Sequence, residues 1–440
     1  NSVSGKSNVG GIVGYAIGAS STTSVLTGAA LGTSATSATV AGDSDVGGLI
    51  GRLWNGTVTN TTSTGTVTGA VRYTGGLIGF ADTATVVNNV SHTVGLVSGV
   101  NTVGGLIGQS AGAIGATGTS TFATSKVEST AAQVGGLIGS TTAGTITNVT
   151  ASGNISGPSD TYVSSYVGGL IGQATSTSIS ASTYTGASIK ASSYVGALVG
   201  ATTNGSTTIT TSSIGASTSV TGTGGIVGGL VGQSYGPISN SSSAAVVNGS
   251  SNVGGLVGLS YSSITNSSST ANVSGTSSVG GLVGQSYSSI TSSSANNALT
   301  GTYTDASGTI AFGVKGNNQV GGLVGLNNNG GSISNSTSNT TVLGLGSDTG
   351  GGVGQLWNGT ISGSGASGTV YGTNETGGFI GQIYNASSIN TSYANADVIN
   401  LRNTTTLPSP TVNSSSSKTG GFVGFFNAYS GSITSSRAAG

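Results

Sequence analysis

The sequence predicts an all-β fold, a β-solenoid (β-helix) of about fourteen coils with short strands and loop insertions, and three observations carry that expectation. The first is a tandem unit. VGGLVGLSYSSITNSSSTANVSGTSS, from Val253 to Ser278, is followed from Val279 by VGGLVGQSYSSITSSS and preceded from Val227 by VGGLVGQSYGPISNSSSAAVVNGSSN. A repeat of this length is the mark of a stacked architecture rather than a globular one. The second is composition: Gly supplies 82 of 440 residues and charged residues only 4%, against roughly 7% and about 25% in ordinary soluble domains. The third is that Val, Ile, Thr and Tyr recur in short runs punctuated by Gly, Ser and Asn, with few helix formers, so the repeating element is strand.

Counting from the residue before each Gly pair, copies begin at Val9, Val46, Thr74, Val103, Val134, Val167, Val195, Val227, Val253, Val279, Val320, Thr349, Thr376 and Thr419, spaced 26 to 43 residues apart. A fixed coil with loop insertions gives that spacing, so residues 1–440 are expected to form one elongated repeat domain. Each coil reads as three short strands: the apolar GGLVG core, a segment such as SSITNSSS, and a segment such as TANVSG. The inward residues are Val, Leu and Ile of the core strand, with Val58, Ile238, Ile264, Ile290, Ile333 and Ile433 from the second.

The GGLVG core followed by a Ser, Asn and Thr-rich remainder resembles the GLUG repeat of large secreted bacterial surface proteins, including adhesins. The central copies from Val227 to Ser294 carry the resemblance best. Departures are Ala197 in VGALVG and the three glycines Gly350 to Gly352. The resemblance implies an extracellular β-solenoid at the cell surface and no particular ligand.

Nine basic and nine acidic residues lie scattered without a run of either sign, which argues against a nucleic-acid partner. The longest apolar stretches fall well short of a membrane span. With no cysteine there is neither a disulfide framework nor a thiolate metal site. The lack of any methionine, initiator included, suggests a piece processed from a precursor, most simply by removal of a secretory signal.

Chemistry is sparse, and the sequence calls for no enzyme activity, cofactor or metal. His92, the one histidine, reads as a surface or loop residue without a nucleophile beside it. Asp43 and Asp45 offer oxygen ligands for calcium, with a turn role as the plainer reading. An aromatic set recurs three residues after the closing Gly: Trp54, Tyr235, Tyr261, Tyr287, Trp357 and Tyr384. Facing outward, it would form a stripe for sugar rings or lateral contacts; otherwise it shields a corner of the coil. The Ser, Thr and Asn segment would present a hydroxyl and amide ladder, which makes ice binding a minor alternative. Asn-x-Ser/Thr sequons fall at Asn55, Asn60, Asn89, Asn148, Asn154, Asn266, Asn272, Asn335, Asn358, Asn374, Asn385 and Asn403.

The two ends read as halves of one unit. TGGFVGFFNAYSGSITSSRAAG stops without the NVSG segment of the central copies, and the chain opens with NSVSGKSNVGG. Two readings stand: an excerpt of a longer array, or a head-to-tail homopolymer in which residues 1–9 complete the last coil (419–440) of a neighbour, with Val3, Val9, Ile433 and Gly440 at the joint. The expectation is therefore an extracellular filament subunit or adhesin stalk. Its partners would be itself, and a surface polysaccharide or another cell.

Overall fold

The computed structural model describes residues 2–20, 24–27, 30–31, 39–115, 121–123, 125–130, 132–163, 165–305, 308–401, 418–427 and 430–439. Two compact units divide the chain, Asn1–Thr223 and Gly224–Gly440. Both are built from stacked parallel strands, and each carries seven strands of the core motif, from Val13–Ile17 to Val199–Thr202 in the first and from Val231–Ser234 to Val423–Asn427 in the second.

The coil around Val253 shows the pattern. Its strands are Ser251–Gly254, Val257–Ser260, Ile264–Thr265, Ser268–Ser269 and Asn272–Ser274, and Ser277–Gly280 opens the next coil. Each runs parallel to its equivalent one coil on, so that Val253 faces Val279, Val257 faces Val283 and Ile264 faces Ile290. The coil thus holds five short strands where three are expected. The reason lies at its corners. Asn266, between Ile264–Thr265 and Ser268–Ser269, takes left-handed backbone angles (φ 48°), a conformation that Asn tolerates and that here breaks the strand, whereas Asn252 (φ 47°) bends Ser251–Gly254 without ending it.

The glycine pair follows from the same geometry. A β-carbon on Gly254 would collide with the carbonyl oxygen of Val257, where the chain doubles back, and one on Gly255 with the carbonyl of Gly281 in the next coil. The run Gly350–Gly352 has a volume explanation. A β-carbon on Gly352 would strike the ring of Phe379, which is fully buried one coil on, so a large residue fills the space a missing leucine leaves.

Val253, Leu256, Val257, Ile264 and Val273 are all fully buried, and like residues stack on like along each unit. Ile433 departs from the expected inward set. It pairs with Ile389 in the last described rung yet is 40% exposed, because no further rung lies over it among the described residues. The same rung ends with Arg437–Ala438, and the described residues make about twelve turns where fourteen are expected. One insertion is defined: in the copy that begins at Val279, Gly301–Asp305 and Gly308–Phe312 form an antiparallel hairpin whose Ile310 and Phe312 pack on Leu343.

Candidate functional site

The aromatic set splits into three groups. In the second unit Tyr235, Tyr261 and Tyr287 stack, with ring centroids 4.6 and 5.0 Å apart and planes within 12° and 13°. Trp357 and Tyr384 make a tilted pair at 4.9 Å, and Asn328 holds the same position in the copy that separates them from the tyrosines. Trp54 belongs to the first unit, with the Arg52 guanidinium 5.8 Å from its ring. Tyr235 and Tyr261 are 40% and 39% exposed, so these rings stand at the surface. Stacking engages the faces of Tyr261 on both sides, and what the ladder offers outward is ring edges and hydroxyls.

The sequons sort by backbone. Asn60, Asn89, Asn148, Asn266 and Asn335 occupy one repeated left-handed corner, and Asn55, Asn358 and Asn385 another, with φ between 48° and 59°. The corner suits asparagine at these eight positions without requiring it, since Ala181, Thr211, Ser292 and Thr391 take the first corner in other coils. Asn154 is exposed and its Oδ1 accepts the N–H of Ser188. Asn272 is buried, donating to the carbonyls of Phe312 at 2.8 Å and Ala298 at 3.2 Å, so its amide is closed to a glycan. Asn374 is half-buried. Asn403 lies outside the described residues.

The hydroxyl segment is not a purely outward face. In Ser263–Ser269, Ser267 and Ser269 are buried, while Thr265 and Ser268 are half-buried and Asn266 is exposed. The inward serines form their own ladder, whose hydrogen bonds run from coil to coil.

His92 is not a surface residue. It is fully buried beneath Gly76, whose missing β-carbon makes room for the imidazole. Ser63 Oγ donates to the Gly76 carbonyl at 2.7 Å, so the 2.8 Å contact with His92 is an Nδ1–H donating to Ser63. Nε2 has no partner. Burial pushes the imidazole down to about 4, which keeps it neutral.

Asp45 takes a left-handed corner (φ 54°) and pairs with Arg52 Nη1 at 3.2 Å and Arg72 Nε at 3.4 Å. Among the described residues no cluster of three or more His, Asp or Glu could hold a metal ion. Among the same residues no helix is long and apolar enough to cross a membrane.

At the expected joint, Ser2–Ser4 stacks on Thr39–Ala41 with Val3 opposite Val40, and Val9 lies opposite Val46 in a buried valine cluster with Val40 and Val67. At the other end a groove of about 480 Å³, lined by Ala396, Val398, Gly421 and Ala438 among others, opens beside the last rung. Gly440 lies outside the described residues.

Comparison with known proteins places the repeat. Four segments, 42–68, 130–156, 249–274 and 316–343, match the family model described as the GLUG motif. The chain carries the GLUG motif. The matches sample both units rather than the central copies alone, and GLUG repeats are typical of extracellular bacterial proteins built as β-helices. No curated protein and no solved structure matches the chain.

One feature of the GLUG solenoid had no local signal in the sequence. In the first unit Gln109, Gln133 and Gln173, drawn from three successive coils, converge on one polar notch. The only hint is the glutamine that recurs directly after the closing glycine of several copies, at Gln109, Gln173, Gln233, Gln285, Gln355 and Gln382.

Proposed function

We propose that this GLUG solenoid serves a mechanical, non-enzymatic role outside the cell, as a filament subunit joined head-to-tail or as the stalk of a surface adhesin. The observation that carries the reading is the complementarity of the two terminal rungs. Ser2–Ser4 occupies the fifth strand position of a coil and Ser7–Gly10 the opening position of the next, and these are the positions that follow Arg437–Ala438, a fourth strand, in a continuing stack. The groove beside Val398 lies where the first of them would dock, with Val3 over Val398 and Val9 over Thr419. Parallel neighbours lie about 4.8 Å apart, within disulfide reach, and the cysteine-free chain makes the experiment clean. The Val3→Cys/Val398→Cys double variant should oxidise into a covalent ladder of multimers, and electron microscopy should show fibres. Monomers alone under both measurements would reject the joint and leave the stalk.

The exposed tyrosine ladder favours a second reading, a surface that holds a polysaccharide through ring edges and hydroxyls. Loss of polysaccharide pull-down in Tyr261→Ala, with the fold intact, would support it; pull-down unchanged from the parent would reject it.

A further inference from the structure

On the outer face of the first unit, the residue that follows the closing glycine of each motif forms a row: Phe80, Gln109, Ser140 and Gln173 are successive partners in register. Ser140 is the short member. Between the two glutamines its small side chain leaves a notch of about 350 Å³, of the size that small-ligand sites occupy. Gln133 reaches over it from the corner row, donating to Gln173 Oε1 and accepting from Thr102 Oγ1 at 3.1 Å. The carboxamides of Gln133 and Gln173 are thereby held in place before any ligand arrives. Arg72 and Tyr73 also line the notch. The Arg72 guanidinium stands 5.1 Å from the Tyr73 ring, and its Nε lies 3.4 Å from Asp45.

We propose that this notch binds one or two residues of an uncharged carbohydrate. Sugar hydroxyls both donate and accept, and carboxamides and hydroxyls on a fixed framework match that dual character. The ring of Tyr73 supplies an apolar flank for sugar C–H groups. An anion is disfavoured because the lining cation is already paired with Asp45, and a cation because the notch has no carboxylate lining. This site is distinct from the tyrosine ladder, which lies in the second unit.

The test is calorimetric titration of the full chain with uncharged hexasaccharides of glucose, mannose, xylose and N-acetylglucosamine. At least one should bind with a submillimolar dissociation constant. Ser140→Leu fills the notch with a residue that the equivalent position carries in the second unit at Leu259 and Leu326, so the variant should fold and weaken binding at least about tenfold. Gln109→Ala should weaken it comparably without adding bulk, and Tyr261→Ala should leave it unchanged. The proposal is overturned if none of the four sugars binds, or if binding survives both Ser140→Leu and Gln109→Ala. Binding lost in Tyr261→Ala but kept in Ser140→Leu would also overturn it, by moving the sugar to the ladder.

Discussion

Ser267 Oγ accepts the backbone N–H of Ser241, one coil earlier, at 3.2 Å and donates its own proton to the carbonyl of Thr265 at 2.8 Å. The relation repeats down the second unit: Ser293 serves Ser267, Ser336 serves Ser293, Ser364 serves Ser336, Ser392 serves Ser364 and Ser436 serves Ser392. The preceding corner residue turns the chain, and a hydroxyl from the next coil takes the place of a carbonyl in the ladder. A chain so poor in large apolar residues keeps its buried amides paired in this way.

Replacing Ser267 by Ala removes the acceptor of a buried N–H, and the expected loss is about 1–3 kcal/mol. Ser268→Ala, one residue away on the outward side, should cost less than about 0.5 kcal/mol. Urea unfolding of the second unit, followed by Trp357 fluorescence in a Trp54→Phe background, measures both. Equal losses would remove the special role of the inward hydroxyl.

The repeat, its strand character and the inward Ile264 were legible because they need only periodicity and an apolar residue in a polar segment. The buried serines were not. Alternation counted from Ile264 places Ser267 outward, but the left-handed Asn266 inverts the phase and turns Ser267 and Ser269 inward. His92 was misplaced for the same reason, since it follows the left-handed Asn89. The notch above Ser140 depends on register between copies of unequal length, which no single copy encodes.

The corner asparagines yield a separate expectation. At Asn266 (φ 48°) glycine adopts the same angles freely, whereas a β-branched residue does so at a cost, as Thr211 (φ 50°) and Thr391 (φ 46°) do at the equivalent corner of other coils. Asn266→Gly should stay within about 0.5 kcal/mol of the parent, and Asn266→Val should lose about 1–2 kcal/mol. Both variants abolish the sequon. Equal losses in urea unfolding would show that the corner does not account for this asparagine.

Asp348 gives the second unit a pH dependence. Burial and the neighbouring Glu375 raise its carboxyl from 3.8 to about 8, and Lys418, which pairs with Glu375 at 3.0 Å, opposes the rise. The folded state then holds a proton that the unfolded chain releases near 4, so this residue's contribution is full below about pH 4 and is lost as pH climbs towards 8. Glu375, held below its usual range in the coupled pair, acts in the opposite sense, losing its contribution as pH falls below its folded value. Asp348→Asn keeps a residue suited to the left-handed corner (φ 59°) and removes the titration. Its melting temperature should vary less between pH 5 and 8 than the parent's and exceed it at pH 8. An unchanged slope would show that Asp348 does not titrate there.

His92 gives the first unit the reverse dependence. Its imidazole is buried neutral and lowered to about 4 from 6.5, so the unfolded chain takes up a proton before the folded one does. The contribution is complete above pH 6.5 and is lost as pH falls towards 4, by about 3 kcal/mol across the window, since each tenfold difference in proton affinity is worth about 1.36 kcal/mol. A protonated ring would also need an acceptor for Nε2, which lacks one. His92→Ala places there the residue found at Ala123 and Ala151, the equivalents in the next two coils. It should lower stability at pH 7.5 through the cavity it leaves and lose no more as pH falls from 6.5 to 5. Trp54 fluorescence in a Trp357→Phe background follows the first unit, and a parent whose stability is flat over the same range would show that His92 is not the buried neutral base described.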